Sequence, residues 1–383
     1  MAEASRLLRG LALAALLLPS AWAAAPSLPV SGRLPAGAKV VALAPIEANG
    51  PLAVDAAGRK VAYLDGGLWS KDLVSGATRT LTPDRPVHLA WSTDGEALAA
   101  AFEQSGKSLI RVFDDQGRST AETTLPGRVS GLQWRGDGTL LVLTFTVERF
   151  RFGTYMEQVL HHWDRKGEPT ARRLNGSTLM PKVAEQLEAS LAHMLAFELS
   201  PLQDEILYYR LYNPPALKPQ LRLVLYHLGS GLERILADVA LAAVGAAFSG
   251  AGDRILYGNG EQESRLLDPW GERVLARYPV AGKRVAMSPS GGLLLLDGQL
   301  FIDGRLAASF PAESRGLFAA GGRALLVQYG AQLYRVSGLP DGAADRAIVP
   351  PTEAETAHRR ELRKWLSEGL ITTEDYRLQE GKP

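Results

Sequence analysis

The phrase LAWSTDGEALAAAF, which starts at Leu89, returns in altered spelling along the whole chain. LAVDAAGRKVAYL starts at Leu52, LQWRGDGTLLVLTF at Leu132 and FELSPLQDEILYYR at Phe197. AAFSGAGDRILYG starts at Ala246, VAMSPSGGLLLL at Val285 and LFAAGGRALLVQY at Leu317. Each copy reads as a short alternating strand, a polar or small residue, a tight turn and then an apolar run. The turn carries Gly58, Gly95, Gly138, Gly252, Gly291 or Gly322, and Gln203-Asp204 in the fourth copy. Glycine enters the positive-φ conformation of such a turn at least steric cost. The apolar run after it predicts a strand buried on both faces.

Two further strand-like runs follow each phrase. LWSKDL, VSG and ATRTLT (68–82) show this most plainly, and LRLVLYHL, GSG and LERIL (221–236) repeat it. The turn positions are 37, 43, 65, 49, 39 and 31 residues apart. Four strands per unit at such periods predict an all-β fold, a β-propeller of four-stranded blades. One four-stranded sheet cannot cover both of its faces, so the ring makes the sheets stable. The count is seven blades, or six if the short last unit is incomplete. A row of small β-sandwiches is the rival that spacing alone leaves open. The strand KVVALAP (39–45) precedes the first blade and is a candidate to close the ring against the last.

The repeat resembles the TolB-type, WD-like propeller repeat. Phe248-Ser249-Gly250-Ala251-Gly252-Asp253-Arg254-Ile255-Leu256-Tyr257 carries the likeness, as does Trp91-Ser92-Thr93-Asp94-Gly95. It spans roughly residues 50–350. The Gly-His and Trp-Asp marks of true WD repeats are missing. The resemblance implies architecture rather than activity, because such rings serve as enzymes, scaffolds and ligand binders alike.

The ends carry separate signals. Arg6 and Arg9, the apolar stretch from Leu11 to Leu18 and the Ala21-Trp22-Ala23 site read as a secretory signal peptide over 1–23, with cleavage after Ala23. A buried N-terminal helix is the alternative. The chain has no cysteine, so no disulfide, thiolate nucleophile or lipidated cysteine can be expected. These features predict a periplasmic or secreted bacterial protein with no membrane span after cleavage. Residues 24–49 form an N-terminal extension, 50–349 the propeller and 350–356 a Pro- and Glu-rich linker.

In the tail, 357–383, Leu362, Trp365 and Leu366 share one helix face, and Gly369 stops that helix. Thr372 and Asp375 resemble a capping box for a second helix. The tail resembles the short C-terminal domain called SHOCT through Leu362, Leu366, Gly369, Ile371, Thr372, Glu374, Asp375 and Tyr376. That resemblance implies oligomerisation, for which Leu362, Trp365, Leu366, Ile371 and Tyr376 are the candidates. A unit this small has too little core to stand alone, so docking on its own propeller is the alternative.

No G-x-S-x-G, phosphate-loop or H-E-x-x-H motif occurs, and no catalytic residue, cofactor or metal ligand is assigned. His161 and His162 point to opposite faces if they lie on a strand, so both cannot hold one metal. Asp114-Asp115-Gln116-Gly117 lacks the rest of a calcium loop and reads as a turn. A net charge of +1 gives no pull toward nucleic acid.

The strongest functional signal is length. Blade three inserts VERFRFGTYMEQ (147–158) between its second and third strands, and blade four stretches the same connection as YYRLYNPPALKPQ (208–220). Between these blades, 181–195 reads as an amphipathic helix. All three should gather on one rim, because those connections leave a blade on the same side of the disc. Arg149, Phe150, Arg151, Phe152, Tyr155, Met156, Tyr209 and Tyr212 are the candidate partner-binding residues, rich in types favoured at interfaces. The alternative is that these aromatics are a satellite core. The favoured function is a non-catalytic interaction or scaffold module of the cell envelope, bound to an envelope or periplasmic protein. The alternative function is a small-ligand or hydrolytic site in the channel, acting on a sugar, lactone or peptide.

Overall fold

The computed structural model describes residues 27–151, 153–179, 196–212, 220–241, 245–268 and 273–340. In the tail it describes 358, 361–362, 364–366, 368–372 and 375–376. The signal segment, the helix expected over 181–195, the linker and Phe152 lie outside the described residues.

Among the described residues the strands form seven antiparallel sheets, whose inner strands stand next to one another around a ring. The fold is a seven-bladed β-propeller. In five of the seven turns the polar residue of the recurring phrase is a staple. The Asp55 carboxylate accepts the Lys60 N–H at 2.8 Å. The Ser92, Ser200, Ser249 and Ser288 hydroxyls accept the same bond, five residues on, from Ala97, Glu205, Arg254 and Leu293. The turn glycines all sit at positive φ, from 67° at Gly58 to 92° at Gly322. Gln203 takes that conformation without being glycine, at φ 63°. Its side-chain oxygen accepts the N–H of Gly136 in the neighbouring blade at 2.5 Å, and that bond offsets part of the strain.

The apolar runs are buried on both faces, as their lack of alternation predicts. Leu98 to Ala101, Leu140 to Leu143 and Leu293 to Leu296 are consecutive core residues. The core is divided into clusters, one at each junction between blades. Leu141, Leu160, Ile206 and Tyr208 join blades three and four, for example, and Leu256, Tyr278, Leu294 and Phe301 join five and six.

The ring closes with the N-terminal strand. Lys39–Pro45 is the outermost strand of blade seven, paired antiparallel with Gln332–Ser337. Ala44 and Ile46 then pack with Val61 and Tyr63 of blade one and Leu326 and Leu333 of blade seven. A two-residue strand, Ser31–Gly32, adds a fifth strand to blade six. Beside it Leu28 is buried against Leu293, Leu300 and Tyr334. Among the described residues no helix is long and apolar enough to cross a membrane.

In the tail, Leu362 and Tyr376 are buried against each other, with Trp365, Leu366 and Ile371 around them. Gly369 at φ 70° ends the first helix. The Leu370 N–H reaches the Trp365 carbonyl and the Gly369 N–H that of Leu366, a Schellman pair of bonds. The Thr372 hydroxyl accepts the Asp375 N–H at 3.1 Å and donates to its carboxylate at 2.6 Å. Leu362 and Tyr376 are therefore spent inside the helix pair, and of the five candidates Trp365, Leu366 and Ile371 keep a partly exposed edge.

Candidate functional site

Blade three is taller than its neighbours. Leu140–Phe150 and Gly153–Trp163 remain paired to the tip, with Phe150 opposite Gly153. The fourth strand, Thr170–Leu179, accompanies them as far as the Thr154–Leu179 pair. The inner strand starts at Arg128, opposite Phe145. Residues 146–150 therefore rise about 16 Å beyond it at strand pitch. Blade four does the same, pairing Tyr212 with Gln220 while its inner strand starts opposite Tyr208. The stretch read as a loop insertion in blade three is a lengthened hairpin; in blade four the strands lengthen to the Tyr212–Gln220 pair, and 213–219 lie outside the described residues. Their Thr, Val, Phe and Tyr residues suit a pleated ladder, and a ladder satisfies backbone groups that a loop would leave to water.

This geometry sorts the candidate residues. Phe150 is 56% exposed near the hairpin tip, between the exposed Arg149 and Arg151. Tyr155 is half-buried, with the Arg173 guanidinium 5.6 Å from its ring centre. Tyr212 is half-buried under Arg222, which also pairs with Asp238 at 2.8 Å. Met156 and Tyr209 are buried rather than on the rim, although Tyr209 also lines the cavity on this side of the disc. Met156 is 5% and Tyr209 2% exposed, and both pack with Phe145, Leu211 and Tyr257. The period-two alternation that exposes Phe150 at the tip turns Met156 inward, and Tyr209 lies lower, inside the disc. The Tyr209 hydroxyl donates to the Gly245 carbonyl at 2.8 Å, and burial pushes it well above the ordinary phenol range.

The same side of the disc opens into a cavity of about 1140 Å³ over blades four to seven. The starts of four inner strands frame it, at Phe197, Ala246, Val285 and Arg315. Phe197, Leu241 and Leu317 give it apolar wall. Its charged groups are Glu198 on blade four, and Lys283, Arg284, Asp297, Glu313 and Arg315 on blades six and seven. Glu198 accepts a hydrogen bond from the Gln133 amide at 3.0 Å. The same amide donates to the Phe197 carbonyl and its oxygen accepts the Leu199 N–H, so Gln133 ties blade three to blade four. The Glu198 side chain is exposed at the channel, but the surrounding walls displace part of its hydration. That loss raises its carboxyl above the ordinary range, and the Gln133 bond opposes the rise. The cavity was not read from the sequence. Its residues come from four different blades, and no local spacing marks them.

His161 and His162 do point to opposite faces: His161 is 3% exposed and His162 is half-buried. The His161 ring nitrogen Nε2 lies 3.0 Å from the Thr144 hydroxyl. Burial first, and the neighbouring His162 second, pull His161 from 6.5 to about 4. The unfolded chain then takes up this proton more readily than the folded one. The contribution to stability is complete above about 6.5 and is lost as pH falls toward 4. Between pH 7 and 5 the wild type should lose about 2 kcal/mol through this group alone. Urea unfolding at both pH values should show a His161→Gln variant losing that much less. Equal losses in the two proteins would sink the assignment.

No protein-family model matches the chain, and no curated protein matches its sequence. Solved structures do. One chain of a crystal structure of a mitotic checkpoint complex aligns at TM-score 0.54 and 13% identity. That alignment covers 82% of this chain and 98% of that one. The β-propeller domain of Cps50 (Swd1) from Myceliophteria thermophila aligns at TM-score 0.51 and 16% identity, over 78% of this chain and 99% of that one. Identities this low speak for the fold, and the fold is a seven-bladed β-propeller.

Proposed function

We propose that this protein is an exported interaction scaffold, a TolB-like propeller that holds a protein of the cell envelope on its cavity-bearing face. The observation that carries the reading is the tall hairpin of blade three. It lifts Phe150, flanked by Arg149 and Arg151, above the face onto which the cavity opens. An exposed aromatic between two arginines is the composition of an interface anchor, not of a solvated strand tip. The SHOCT-like tail adds self-association through the edge formed by Trp365, Leu366 and Ile371. Export rests on the basic-apolar start of the chain and its Ala-Trp-Ala site. The neighbours named above are a component of a complex in one case and a propeller domain in the other, in keeping with a scaffold.

The alternative, a small-ligand or hydrolytic site in the channel, draws on Glu198 and its raised carboxyl. Among the described residues the side-chain partner of that carboxylate is the Gln133 amide, which cannot serve as nucleophile or base.

The test is capture from an envelope fraction with tagged wild type and a Phe150→Ser variant, followed by direct titration of the purified prey. We expect a prey that binds the wild type and binds the variant at least about tenfold more weakly, with unchanged melting. Co-expressed untagged copies of the chain should enter the same eluate if the tail associates. A prey held equally by both proteins would remove the hairpin from the interface.

A further inference from the structure

Arg284 and Arg315 hold the same place in successive blades, seven residues before the turn glycines Gly291 and Gly322. In blades three, four and five that place is Gly131, Ala196 and Gly245. Four of these equivalents, Ala196, Gly245, Arg284 and Arg315, line the cavity. Equivalent positions of neighbouring blades are neighbours around the channel, so the repeat itself sets the two arginines side by side. The small residues have a packing reason: a Cβ on Gly245 would fall 2.8 Å from the Val285 backbone nitrogen, and one on Gly131 2.8 Å from the Phe197 ring. No such crowding explains the arginines.

Both arginines are half-buried, and among the described residues their side-chain hydrogen bonds go to backbone carbonyls. Arg284 donates to the Ala312 carbonyl at 3.2 Å, and Arg315 to the Asn49 carbonyl at 3.5 Å. Among the described residues neither forms an ion pair with a carboxylate. Two carboxylates share that wall of the cavity, Asp297 and Glu313. Asp297 accepts the backbone N–H groups of Gly282 and Arg284 at 2.9 and 2.8 Å, and among the described residues Glu313 forms no ion pair with either guanidinium. Burial, and next the charge of Arg284, pull the Arg315 guanidinium below its ordinary value. Two like charges held together out of full solvent are a cost that an entering anion removes.

We infer that Arg284 and Arg315 form a carboxylate-binding site at the channel mouth, which takes a free C-terminus or an Asp or Glu side chain from a partner's peptide segment. The inference deepens the scaffold reading and rests on it for the nature of the ligand. Guanidinium forks match a carboxylate in two parallel hydrogen bonds. The cavity is larger than a bare anion needs, and Phe197, Leu241 and Leu317 offer apolar wall to neighbouring side chains. Glu198 on the far side disfavours a doubly charged phosphate.

The experiment uses the full chain and labelled octapeptides of alternating Gly and Leu. One has a free C-terminus, one is amidated, one is amidated with two internal Glu, and one carries Lys in their place. Fluorescence anisotropy at about 50 mM salt should show one or both carboxylate peptides binding and the amide and Lys peptides not. Which of the two binds tells terminus from side chain. An Arg284→Gln/Arg315→Gln variant should bind at least about tenfold more weakly and melt at the same or a higher temperature. Should that variant fail to fold, Arg284→Lys/Arg315→Lys keeps charge and stem but loses the forks, and should still bind more weakly. No carboxylate-dependent binding, unchanged affinity in the folded variants, or equal competition by inorganic phosphate would overturn the site. Failure here with Phe150-dependent capture intact overturns this site alone. Loss of capture with peptide binding intact overturns the hairpin's role instead.

Discussion

A chain that starts at residue 50 should not fold into a stable monomer. It lacks Lys39–Pro45, the outermost strand of blade seven, and the ring then ends in an unpaired edge at Gln332–Ser337. Three buried side chains go with it, Leu28, Ala44 and Ile46. Leucine and isoleucine burial is worth about 1.5–3 kcal/mol each. Several specific bonds are lost as well: Ile46 N–H to the Ala331 carbonyl at 3.0 Å, the Gln332 amide to the Ala44 carbonyl at 2.7 Å and Lys71 Nζ to the Leu43 carbonyl at 2.6 Å. Together these approach the roughly 5–15 kcal/mol that keeps a domain folded. Calorimetry should show the transition lowered by about 10 °C or more, or no cooperative transition. Size-exclusion should show association through the bared edge. A synthetic peptide covering 27–48, added in trans, should restore both. Melting within a couple of degrees of the full chain would mean that the closing strand is an ornament of the ring.

That strand was legible before the structure because an apolar run stood outside the seven copies and needed a partner. The copies themselves were legible because each phrase compresses a positive-φ turn and a strand covered on both faces into a dozen residues, and five of the seven add a staple. Asp55 and Ser92 were visible as small polar residues, although their bonds to the N–H five residues on were not. Ser31–Gly32 was out of reach, since two residues carry no periodicity. The tall hairpins were misread as loops because aromatic residues alternating with Arg suit a rim equally well as strand or coil. The burial of Met156 and Tyr209 was missed for a related reason. Alternation gives the side of the strand a residue faces, and only the height of the disc says whether that side is covered. The arginine pair had a signal, a shared offset from the turn glycine, but an offset does not show which positions crowd the channel.

The largest effect of a single methyl group should come at Gly258. A Cβ there would fall 2.1 Å from the Gly282 carbonyl oxygen and 2.5 Å from that of Ala281. Both contacts are backbone, so no side chain can swing away, and the connection between blades five and six must move instead. Overpacking of this kind costs about 1–3 kcal/mol, and a rigid backbone partner argues for the upper end. Gly330→Ala is the control. Its φ is 56°, yet nothing lies within 4 Å of the added atom, so it should cost only the roughly 1 kcal/mol of left-handed backbone. Urea unfolding of the two variants therefore separates close approach from conformation. A Gly258→Ala variant no less stable than Gly330→Ala would mean that the two chains do not pass so closely. The displaced connection leads directly into Lys283, Arg284 and Val285, which form one wall of the cavity. Gly258→Ala should thus weaken carboxylate-peptide binding although the residue is no part of the lining, whereas Gly330→Ala should leave it unchanged. Loss of stability with unchanged peptide affinity would show that the arginine wall holds its place independently of the strand behind it.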